Sequence, residues 1–483
     1  MAKEKIDEKG ITARKAENFS EWYVQAIIRS EFLDYSDVSG CYIFRPAAYA
    51  AWQKIYDAVD PELRKLGVEN VYFPVLIPEK FLSVEKDHIE GFAAEVAWVT
   101  HAGDTKLGER LAVRPTSEAM MYPTFAKWIR SWRDLPMRYN QWNSVLRWEF
   151  KDPTPFLRTR EFLWNEGHSV FATEGEARGE RDQILNLYVR ILKEYLALPG
   201  IVGRKTEKEK FAGAVESYSI EHVMPDGYGV QGPAFHFDGQ KFARSFEIKF
   251  LDAEGKSSYA WQNTYAISTR ELGVMVATHG DDKGLVIPPK LAHIQVVVVP
   301  IYKNENKETV MEFAGKAVKL LGEEVRVRLD DREGYSPGFK FNEWEMKGVP
   351  IRIEIGPKDV EKRQVVLVRR DTGAKSETDL GNLSEKVNLL LNEIHKALYL
   401  KAEKFLHDNV HTAKDYDSLK KILKEKGGLV SAPWCEDQEC EEKIKAETGA
   451  KITNMPLGQG KVDAKCVYCK KKAKTMANFA KSY

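Results

Sequence analysis

The spacing of apolar residues predicts two helices at the start of the chain. In residues 11–32, apolar side chains recur every three or four positions, as on the buried side of a helix. A second helix is predicted from Pro46 to Leu66, where Pro61 predicts a break or a kink. The β-rich run VENVYFPVLIP follows, and Pro74 within it indicates an edge strand, because proline lacks a ladder donor.

The stretch from Ser144 to Thr173 predicts two strands joined by a charged loop at 151–159. Alternation places Val145, Arg147 and Glu149 on one face of the first strand, and Leu146, Trp148 and Phe150 on the other. On the second strand, one face carries Arg160, Phe162, Trp164, Glu166 and His168. Arginine, carboxylate, imidazole and large aromatics are costly to bury together. The stretch is therefore either a structural hairpin with satisfied ion pairs or part of a functional site.

Later segments change the pattern twice. Glu174 to Leu198 is a charged amphipathic stretch that predicts one long structural helix, and strands are predicted again from Phe211. Strands and helices then alternate from Ile294 to Leu400, which predicts an α/β sheet with crossover helices.

Length and charge narrow the class of protein. The 483 residues favour two or three domains, and a net charge of +1 restricts any nucleic-acid contact to local patches. The charged start, MAKEKIDEKG, is not a signal peptide, and no apolar run reaches membrane-spanning length. We therefore expect a cytoplasmic protein without a membrane partner.

Four of the five cysteines form two pairs near the C-terminus, with the spacings Cys435-x4-Cys440 and Cys466-x2-Cys469. Such pairs suit a tetrahedral Zn²⁺ site, and the alternative is buried free thiols. Four thiolates leave no open coordination position, so the predicted metal is structural. Cys41 is predicted to be a small core residue.

Two motifs carry a resemblance to a known family. RPTSE at 114–118 and the hairpin sequence LRWEF…RTREFLWNEGHS resemble the prolyl-tRNA synthetases of class II. A Thr-Ser-Glu sequence alone also suits a helix N-cap. With the hairpin as motif 2, Arg270 resembles the motif 3 arginine, and the segment around Pro74 resembles motif 1, which builds the dimer interface. About a hundred residues separate motifs 2 and 3, too few for a large editing insertion, so the resemblance is to the archaeal and eukaryotic type.

The resemblance implies roles for individual residues. Arg147 and Arg270 are the implied catalytic residues. The implied proline site consists of Thr116, Glu118, Arg147, Phe162, Trp164, Glu166, His168 and His236. The implied ATP site consists of Arg147, Glu149, Arg158, Thr159, Gln231, Thr264, Ser268 and Arg270. Mg²⁺ is expected as part of the ATP complex, with Gln231 near it.

Two further segments bear on the resemblance. The stretch from Gly232 to His236, with a predicted turn at Pro233 to Phe235, departs from eukaryotic relatives, which read Gly-Gly-Thr-Ser-His there, so the chain lacks their hydroxyl at Ala234. The α/β segment resembles the class IIa anticodon-binding domain. Its candidate tRNA contacts are Arg332, Lys340, Glu345 and Lys347.

The expected fold is multidomain α/β. Residues 1–286 are predicted to form a class II core with an antiparallel sheet flanked by helices, residues 287–395 the anticodon-binding domain, and residues 396–483 a small α+β zinc domain. The resemblance implies a homodimer that joins L-proline to tRNA(Pro) through prolyl-adenylate, releasing AMP and pyrophosphate, with misactivation of alanine or cysteine as a side reaction. The alternatives are a synthetase for threonine, whose relatives hold zinc in the catalytic pocket, and a synthetase-like RNA-binding protein without catalysis.

Overall fold

The computed structural model describes residues 10–82, 95–149, 151–322 and 324–483. Phe150, assigned from the alternation to the outer face of the hairpin, lies outside these residues. The helices are α1 Phe19–Arg29, α2 Pro46–Lys65, α3 Glu118–Trp128, α4 Glu174–Glu194, α5 Lys241–Ser245, α6 Arg270–His279, α7 Lys307–Leu321, α8 Pro337–Met346, α9 Pro357–Glu361, α10 Leu383–Asp408, α11 Tyr416–Glu425 and α12 Gln438–Thr448.

The strands form one large sheet, one sheet of five strands and three small sheets. The strands are β1 Leu33–Tyr35, β2 Tyr42–Phe44, β3 Glu69–Asn70, β4 Leu76–Pro78, β5 Trp98–Ala102, β6 Thr105–Val113, β7 Met137–Leu146, β8 Glu161–Phe171, β9 Ile201–Arg204, β10 Glu216–Val223, β11 Gly229–Gly239, β12 Lys249–Leu251, β13 Ser257–Tyr259, β14 Trp261–Ser268, β15 Val296–Pro300, β16 Val327–Leu329, β17 Ile351–Ile355, β18 Gln364–Arg369, β19 Lys375–Asp379, β20 Val410–Thr412, β21 Leu429–Trp434, β22 Lys451–Pro456 and β23 Thr475–Ala480.

An eleven-stranded sheet runs through most of the molecule in the order β20-β21-β23-β22-β9-β10-β11-β14-β8-β7-β3. Its centre, from β9 to β7, is antiparallel throughout. Helix α4 packs across this centre and buries Ile184, Leu187 and Tyr188, and α1, α2 and α6 add to the same core. The sheet of the C-terminal residues is continuous with this centre, because β22 pairs with β9.

The second sheet has the order β16-β15-β17-β18-β19 and mixes parallel and antiparallel pairs. Helices α7 and α10 pack on one face, with Val296, Val298 and Ile353. Trp344 of α8 packs on the other face against Val297 and Val299. Alternate residues of β15 therefore face two helical layers, which explains its unbroken run of valines.

Several predicted elements are confirmed and others are corrected. The predicted bounds of α7 and β18 match the structure. Helix α1 is shorter than predicted, because the Asn18 side chain accepts a hydrogen bond from the Glu21 amide and caps the first turn. The break predicted at Pro61 is wrong: α2 continues to Lys65. Burial of Ile55, Val59 and Leu63 on its inner face stabilises the helix beyond the proline.

Two predictions within the central sheet are also corrected. The first hairpin strand ends at Leu146, so Arg147 and Glu149 lie just beyond it, although the Arg147 amide still donates to the Arg160 carbonyl at 2.8 Å. The predicted turn at Pro233 to Phe235 is strand: it belongs to β11, where the pairing to β10 shifts register between Ser219 and Glu221. A bulge accommodates Pro233, which cannot donate to a ladder.

Candidate functional site

A cavity of about 1120 Å³ lies over the centre of the large sheet and collects most of the predicted site residues. The predicted residues that line it are Thr116, Glu118, Arg147, Glu149, Phe162, Trp164, Glu166, His168, Gln231, His236, Thr264, Ser268 and Arg270. Arg158 and Thr159 do not line it. Residues far apart in sequence thus meet at one concave site, which is the expected form of a small-molecule site.

Strand β8 places alternate side chains towards the cavity, as the sequence predicted. Phe162, Trp164, Glu166 and His168 all line it. Opposite Glu166 in the register stands Gln141 of β7. This pairing brings amide side chains of β7 next to a carboxylate of β8 at the base of the cavity.

Glu166 is the centre of a buried hydrogen-bond network. Its carboxylate accepts from the Ser117 amide at 3.1 Å, from Gln141 Nε2 at 3.1 Å and from Asn143 Nδ2, and the Ser117 hydroxyl also donates to it. His168 Nε2 lies 3.3 Å from Glu166 Oε2. The network ties the 114–118 loop to the hairpin, so Glu166 supports the shape of the cavity.

Opposite pKa shifts indicate that Glu166 and His168 form an ion pair. Burial alone raises the pKa of Glu166, but hydrogen bonds from His168, Ser117 and Asn143 bring it below its usual value. Burial alone lowers the pKa of His168, but Glu166 and the charge of Glu118 raise it above its usual value. The carboxylate and imidazolium therefore stabilise each other's charged forms.

The Thr116-Ser117-Glu118 segment leads into helix α3 and faces the cavity. Ser117 is the N-cap residue, but its hydroxyl bonds to Glu166 and makes no capping bond to the helix. The Thr116 hydroxyl donates to the Glu118 carboxylate, and both side chains are buried. The simple capping interpretation is therefore wrong for Ser117, and Thr116 and Glu118 present acceptors to the cavity.

Arg147 crosses the cavity mouth beside two aromatic rings. Its guanidinium carbon lies 5.4 Å from the Phe162 ring centre and 5.2 Å from that of Trp164, and Nε donates to the Pro115 carbonyl at 2.9 Å. Within the described residues, no carboxylate oxygen lies within 4 Å of its guanidinium. The rings and the carbonyl orient the cation and leave its charge for a ligand.

Arg270 is the first residue of α6, and its guanidinium also faces the cavity. Its Nη1 donates to the Gln231 carbonyl at 3.1 Å, which links α6 to the bulged part of β11. Like Arg147, it has no carboxylate within ion-pair distance among the residues the structure describes. Two arginines without a carboxylate partner in one cavity are suited to an anionic ligand.

His236 is neutral in this site. Its Nδ1 lies 2.8 Å from the Ser217 hydroxyl, and the Phe211 ring lies 5.1 Å from its own. Burial, together with the charges of Lys205 and Arg147, lowers the pKa of His236 to about 3. The imidazole is therefore a neutral hydrogen-bonding and packing group at physiological pH.

Several residues of the site were missed from the sequence. Phe211 and Ser217 contact His236, Gln141 and Asn143 hold Glu166, and Lys205 pairs with Glu221 at 2.7 Å beneath the cavity. Phe211 follows the charged run EKEK, where no local pattern indicates a ligand-facing ring. The alternation of β7 could have indicated Gln141 and Asn143, since both lie on the same face of the sheet as the polar side chains of β8.

The candidate tRNA contacts lie around α8 and are engaged in internal pairs. Arg332 contacts Asp330 and Glu343, each at 2.7 Å, and Lys347 contacts Glu343 at 2.7 Å. Lys340 is buried and its Nζ donates to the Asp330 carbonyl at 3.0 Å. Glu345 lies 3.3 Å from Lys283. Burial of Lys340 weighs against direct contact by that residue, and the role of all four in tRNA binding stays a prediction.

The four paired cysteines converge between β21, α12 and the loop after β22. Their sulfur atoms all lie within 4.8 Å of one another, with Cys435 Sγ 3.7 Å from Cys440 Sγ and 3.6 Å from Cys469 Sγ. A tetrahedron with zinc–sulfur bonds of about 2.3 Å has sulfur–sulfur edges of about 3.8 Å. The cluster therefore has the dimensions of a four-thiolate metal site. Cys41 stands apart from it and is only partly buried, so it is not the buried core residue that was predicted.

Three family models match successive parts of the chain. They are described as "tRNA synthetase class II core domain (G, H, P, S and T)" for residues 98–279, "Anticodon binding domain" for 295–389 and "Prolyl-tRNA synthetase, C-terminal" for 416–483. A proline–tRNA ligase 2 from Bacillus cereus is 48% identical over 483 residues, covering 100% of both chains. The chain belongs to the prolyl-tRNA synthetase family. A proline–tRNA ligase from the archaeon Cenarchaeum symbiosum is 46% identical over 98% of this chain and 99% of its own length.

Solved structures agree with this placement. A prolyl-tRNA synthetase from Cryptosporidium parvum, complexed with halofuginone and AMPPNP, superposes with a TM-score of 0.93 at 44% identity, covering 98% of this chain and 100% of that one. The class II core, the α/β unit and the C-terminal cysteine cluster predicted from the sequence are thus confirmed. The prolyl-tRNA synthetase family attaches proline to tRNA, and this chain is a ligase of that class. No helix in the described ranges has the length and apolar character that a bilayer crossing needs.

Proposed function

We propose that the cavity binds L-proline and ATP–Mg²⁺ side by side and forms prolyl-adenylate between them. The observation that carries this is the pair of arginines, Arg147 and Arg270, that line one cavity without carboxylate partners among the described residues. Across the cavity, Thr116 and Glu118 present acceptors. The site therefore offers cations for carboxylate and phosphate and an anion for an amine.

The amino-acid end of the site suits proline. The secondary ammonium has two N–H donors and one charge, which Glu118 and Thr116 match as acceptors. Phe162, Trp164 and Phe211 supply an aromatic wall for the ring carbons. Glu166 and His168 hold this wall and the 114–118 loop in register, and neutral His236 closes the site without adding charge.

The nucleotide end is proposed to follow the edge formed by β14, α6 and β11. Arg270, Ser268, Thr264 and Gln231 line that side, with Glu149 at the mouth. Gln231 is the residue we assign to the Mg²⁺ that accompanies ATP. Arg158 and Thr159, which lie in the loop between β7 and β8, are proposed to reach the nucleotide from that loop.

The reaction follows from this arrangement in two steps. A proline carboxylate oxygen attacks the α-phosphorus of ATP; an oxygen–phosphorus bond forms, and the bond to the pyrophosphate oxygen breaks. Arg147, between the two reactants, stabilises charge on both the carboxylate and the α-phosphate, and Arg270 stabilises the departing phosphates. The terminal ribose hydroxyl of tRNA(Pro) then attacks the adenylate carbonyl, gives up its proton and releases AMP. Positioning supplies most of the rate, without a covalent enzyme intermediate.

The other parts of the molecule are proposed to support this reaction. Residues 1–286 form the catalytic domain, 287–395 bind the anticodon through Arg332, Lys340, Glu345 or Lys347, and 396–483 hold structural Zn²⁺ through the four cysteines. Helix α10 runs through the boundary at 395, so the last two units share it. The protein is proposed to be cytoplasmic, and to misactivate alanine or cysteine as a side reaction. Between β8 and β14 the chain has no room for a large editing insertion that would clear these products.

A homodimer is proposed to form through α2 and the segment around Pro74. Tyr72 and Val75 are exposed there, with 73% and 40% of their surface accessible. Large exposed apolar side chains close together are typical of a protein interface.

Proline-dependent exchange of pyrophosphate into ATP tests the proposed reaction. Purified full-length protein should catalyse exchange with proline, more weakly with alanine or cysteine, and not with threonine. Glu118→Gln should raise the KM for proline by about tenfold or more, because the ammonium loses a charged partner. Exchange with threonine alone would overturn the choice of amino acid, and absence of exchange with every amino acid would favour an RNA-binding protein without catalysis.

A further inference from the structure

One wall of the cavity is a charged segment, residues 204–210, that follows β9. Lys205, Glu207, Lys208, Glu209 and Lys210 line the cavity together with the next residue, Phe211. Beyond Arg204, where β9 ends, the segment belongs to no strand or helix. Its two ends are bonded to the core: the Lys205 amide donates to the Ser217 carbonyl at 2.8 Å, and Lys210 Nζ donates to the Val215 carbonyl at 3.1 Å. Between these ends, the position of the segment also depends on its contacts on the side away from the cavity.

On that side the segment packs against helix α12 of the C-terminal region. The Thr206 hydroxyl donates to Glu441 Oε1 at 2.9 Å, and each residue exposes 2% of its surface. Lys208 Nζ lies 3.0 Å from Glu442 Oε1. A buried hydroxyl–carboxylate bond next to an ion pair fixes the segment in one orientation more firmly than exposed charges would.

Contacts at both ends of the segment extend this attachment. Arg204 lies 3.3 Å from Glu436, and Lys451 of β22 lies 3.0 Å from Glu209. Strand β22 pairs with β9 directly beside them, with Met455 opposite Arg204. The whole segment is thus clamped between the cavity and the C-terminal region.

Two of the acidic residues in these contacts directly follow a cysteine in the sequence. Glu436 follows Cys435, and Glu441 follows Cys440. A metal bound by the four thiolates would fix the start of α12 relative to β21, and with it the carboxylates that hold the segment. Residues 435–442 therefore carry both half of the metal site and the contacts to the cavity wall.

We propose that Glu441 is a positioning residue for proline binding, and that the four-cysteine site acts on the cavity through it. Glu441 holds Thr206, the 204–210 segment holds Phe211 next to His236, and the amino-acid end of the cavity keeps its shape. The inference rests on the proposed function of the cavity. It assigns to the C-terminal region a part in substrate binding in addition to any part in stability.

Substitutions of Glu441 and of Thr206 test the contact between them. Glu441→Leu removes the acceptor at similar volume, and Thr206→Val removes the donor from the other side. Both should raise the KM for proline about fivefold, as when only about one-fifth of the molecules keep the segment in place, with kcat and the KM for ATP changed by less than about twofold. Glu441→Gln and Thr206→Ser keep the bond and should restore the KM.

Glu439→Leu is the control, because Glu439 precedes Cys440 on the same helix but is exposed, and its ion pair among the described residues is with Lys443. It should leave the KM and the metal content unchanged. An effect as large as that of Glu441→Leu would place the cause in the cysteine site and overturn the role of the contact. Wild-type KM values in both Glu441→Leu and Thr206→Val would also overturn it, whereas wild-type protein without any proline-dependent exchange would instead refute the proposed function.

Hydrogen exchange gives a readout that does not depend on activity. Amides of residues 204–211 should exchange more than fivefold faster in Glu441→Leu and Thr206→Val than in the wild type, with strand β8 unchanged. Removal of metal from the wild-type protein by a chelator, confirmed by metal analysis, should produce the same acceleration. Unchanged exchange in the metal-free protein would overturn the link between the cysteine site and the cavity.

Discussion

Two groups of cationic side chains in this molecule differ in what neutralises them. In the cavity, Arg147 and Arg270 are oriented by backbone carbonyls and face no carboxylate within ion-pair distance among the described residues. Around α8, Arg332 and Lys340 are neutralised by Asp330, which is itself buried. Both groups attracted attention in the sequence as possible ligand contacts.

The difference separates two uses of charge. A cation held by uncharged acceptors keeps its field for a ligand, and the cost of orienting it is met by the surrounding fold. A cation paired with a buried carboxylate stabilises the fold and has little field left for a partner. The comparison therefore predicts that changes in the first group affect the reaction, and changes in the second affect stability.

The largest expected effect is at the cavity. Arg147→Lys and Arg270→Lys should each lower kcat for proline-dependent pyrophosphate exchange by about 10²–10³-fold, because an ammonium cannot reproduce the planar fork of donors on phosphate and carboxylate. Thermal unfolding should stay near the wild type. Arg332→Lys is the matched control and should change exchange by less than about twofold. A variant Arg147→Lys with nearly full exchange would break the comparison.

A smaller effect is expected in the second sheet. Lys340→Met leaves Asp330 with Arg332 and Trp344 but without its buried cation, and should lower the free energy of unfolding of that unit by about 2 kcal/mol. Differential scanning calorimetry should show a lower transition temperature for that unit, and the rate of pyrophosphate exchange should be unchanged. Lys347→Met, at a half-buried site, should cost about 1 kcal/mol or less. Selective loss of tRNA charging in Lys340→Met, without loss of stability, would show that Lys340 contacts tRNA.

A further effect concerns pH and distinguishes the two units during acid unfolding. Burial lowers the pKa of His236 to about 3 and that of His279 to about 4, so both histidines take up protons only on unfolding. Their contribution to stability is full above pH 6.5 and is lost as the pH falls towards 4, by about 1.4 kcal/mol each at pH 5.5. The raised pKa values of His168 and His222 offset part of this loss as the pH falls, and the catalytic unit should still lose stability first.

The low pKa of Asp330 predicts that the second sheet keeps its stability to a lower pH than the catalytic unit. Burial raises the pKa of Asp330, but Arg332, Trp344 and Lys340 outweigh it and lower that pKa to about 2. Its contribution is present above pH 3.8 and is lost only as the pH falls towards 2. Calorimetry between pH 7 and 5 should show the transition of the catalytic unit falling more than that of the second sheet, and His279→Gln should reduce the difference. Parallel shifts of both transitions would contradict this assignment.

Sequence patterns were sufficient where local chemistry decides the structure. The inward face of β8 and the four cysteines were predicted because periodicity and spacing express these features directly. The position of Arg270 at the start of a helix followed from the family resemblance. The sequence could not show that Lys340 is buried or that Arg332 is paired, since both depend on how α8 packs on β15. Pro233 shows the same limit: a bulge keeps it within a strand, and no local signal distinguishes that from a turn.

Contacts across long sequence separations were the least predictable part of the site. Thr206 and Glu441 are 235 residues apart, and each is an ordinary polar residue in its own segment. Only the pairing of β22 with β9 brings them together. That pairing joins two sheets that the sequence suggested were separate.

The joined sheet also bears on how the protein avoids aggregation. An open sheet of eleven strands would expose two rows of unpaired amides and carbonyls, which can recruit strands from other molecules. Among the described residues its outermost strands are β3, with two residues, and β20, with three. Each edge therefore offers very few free backbone groups. The long strands lie in the interior of the sheet, where they are paired on both sides, and the strands at its edges, to which another chain could add, are short.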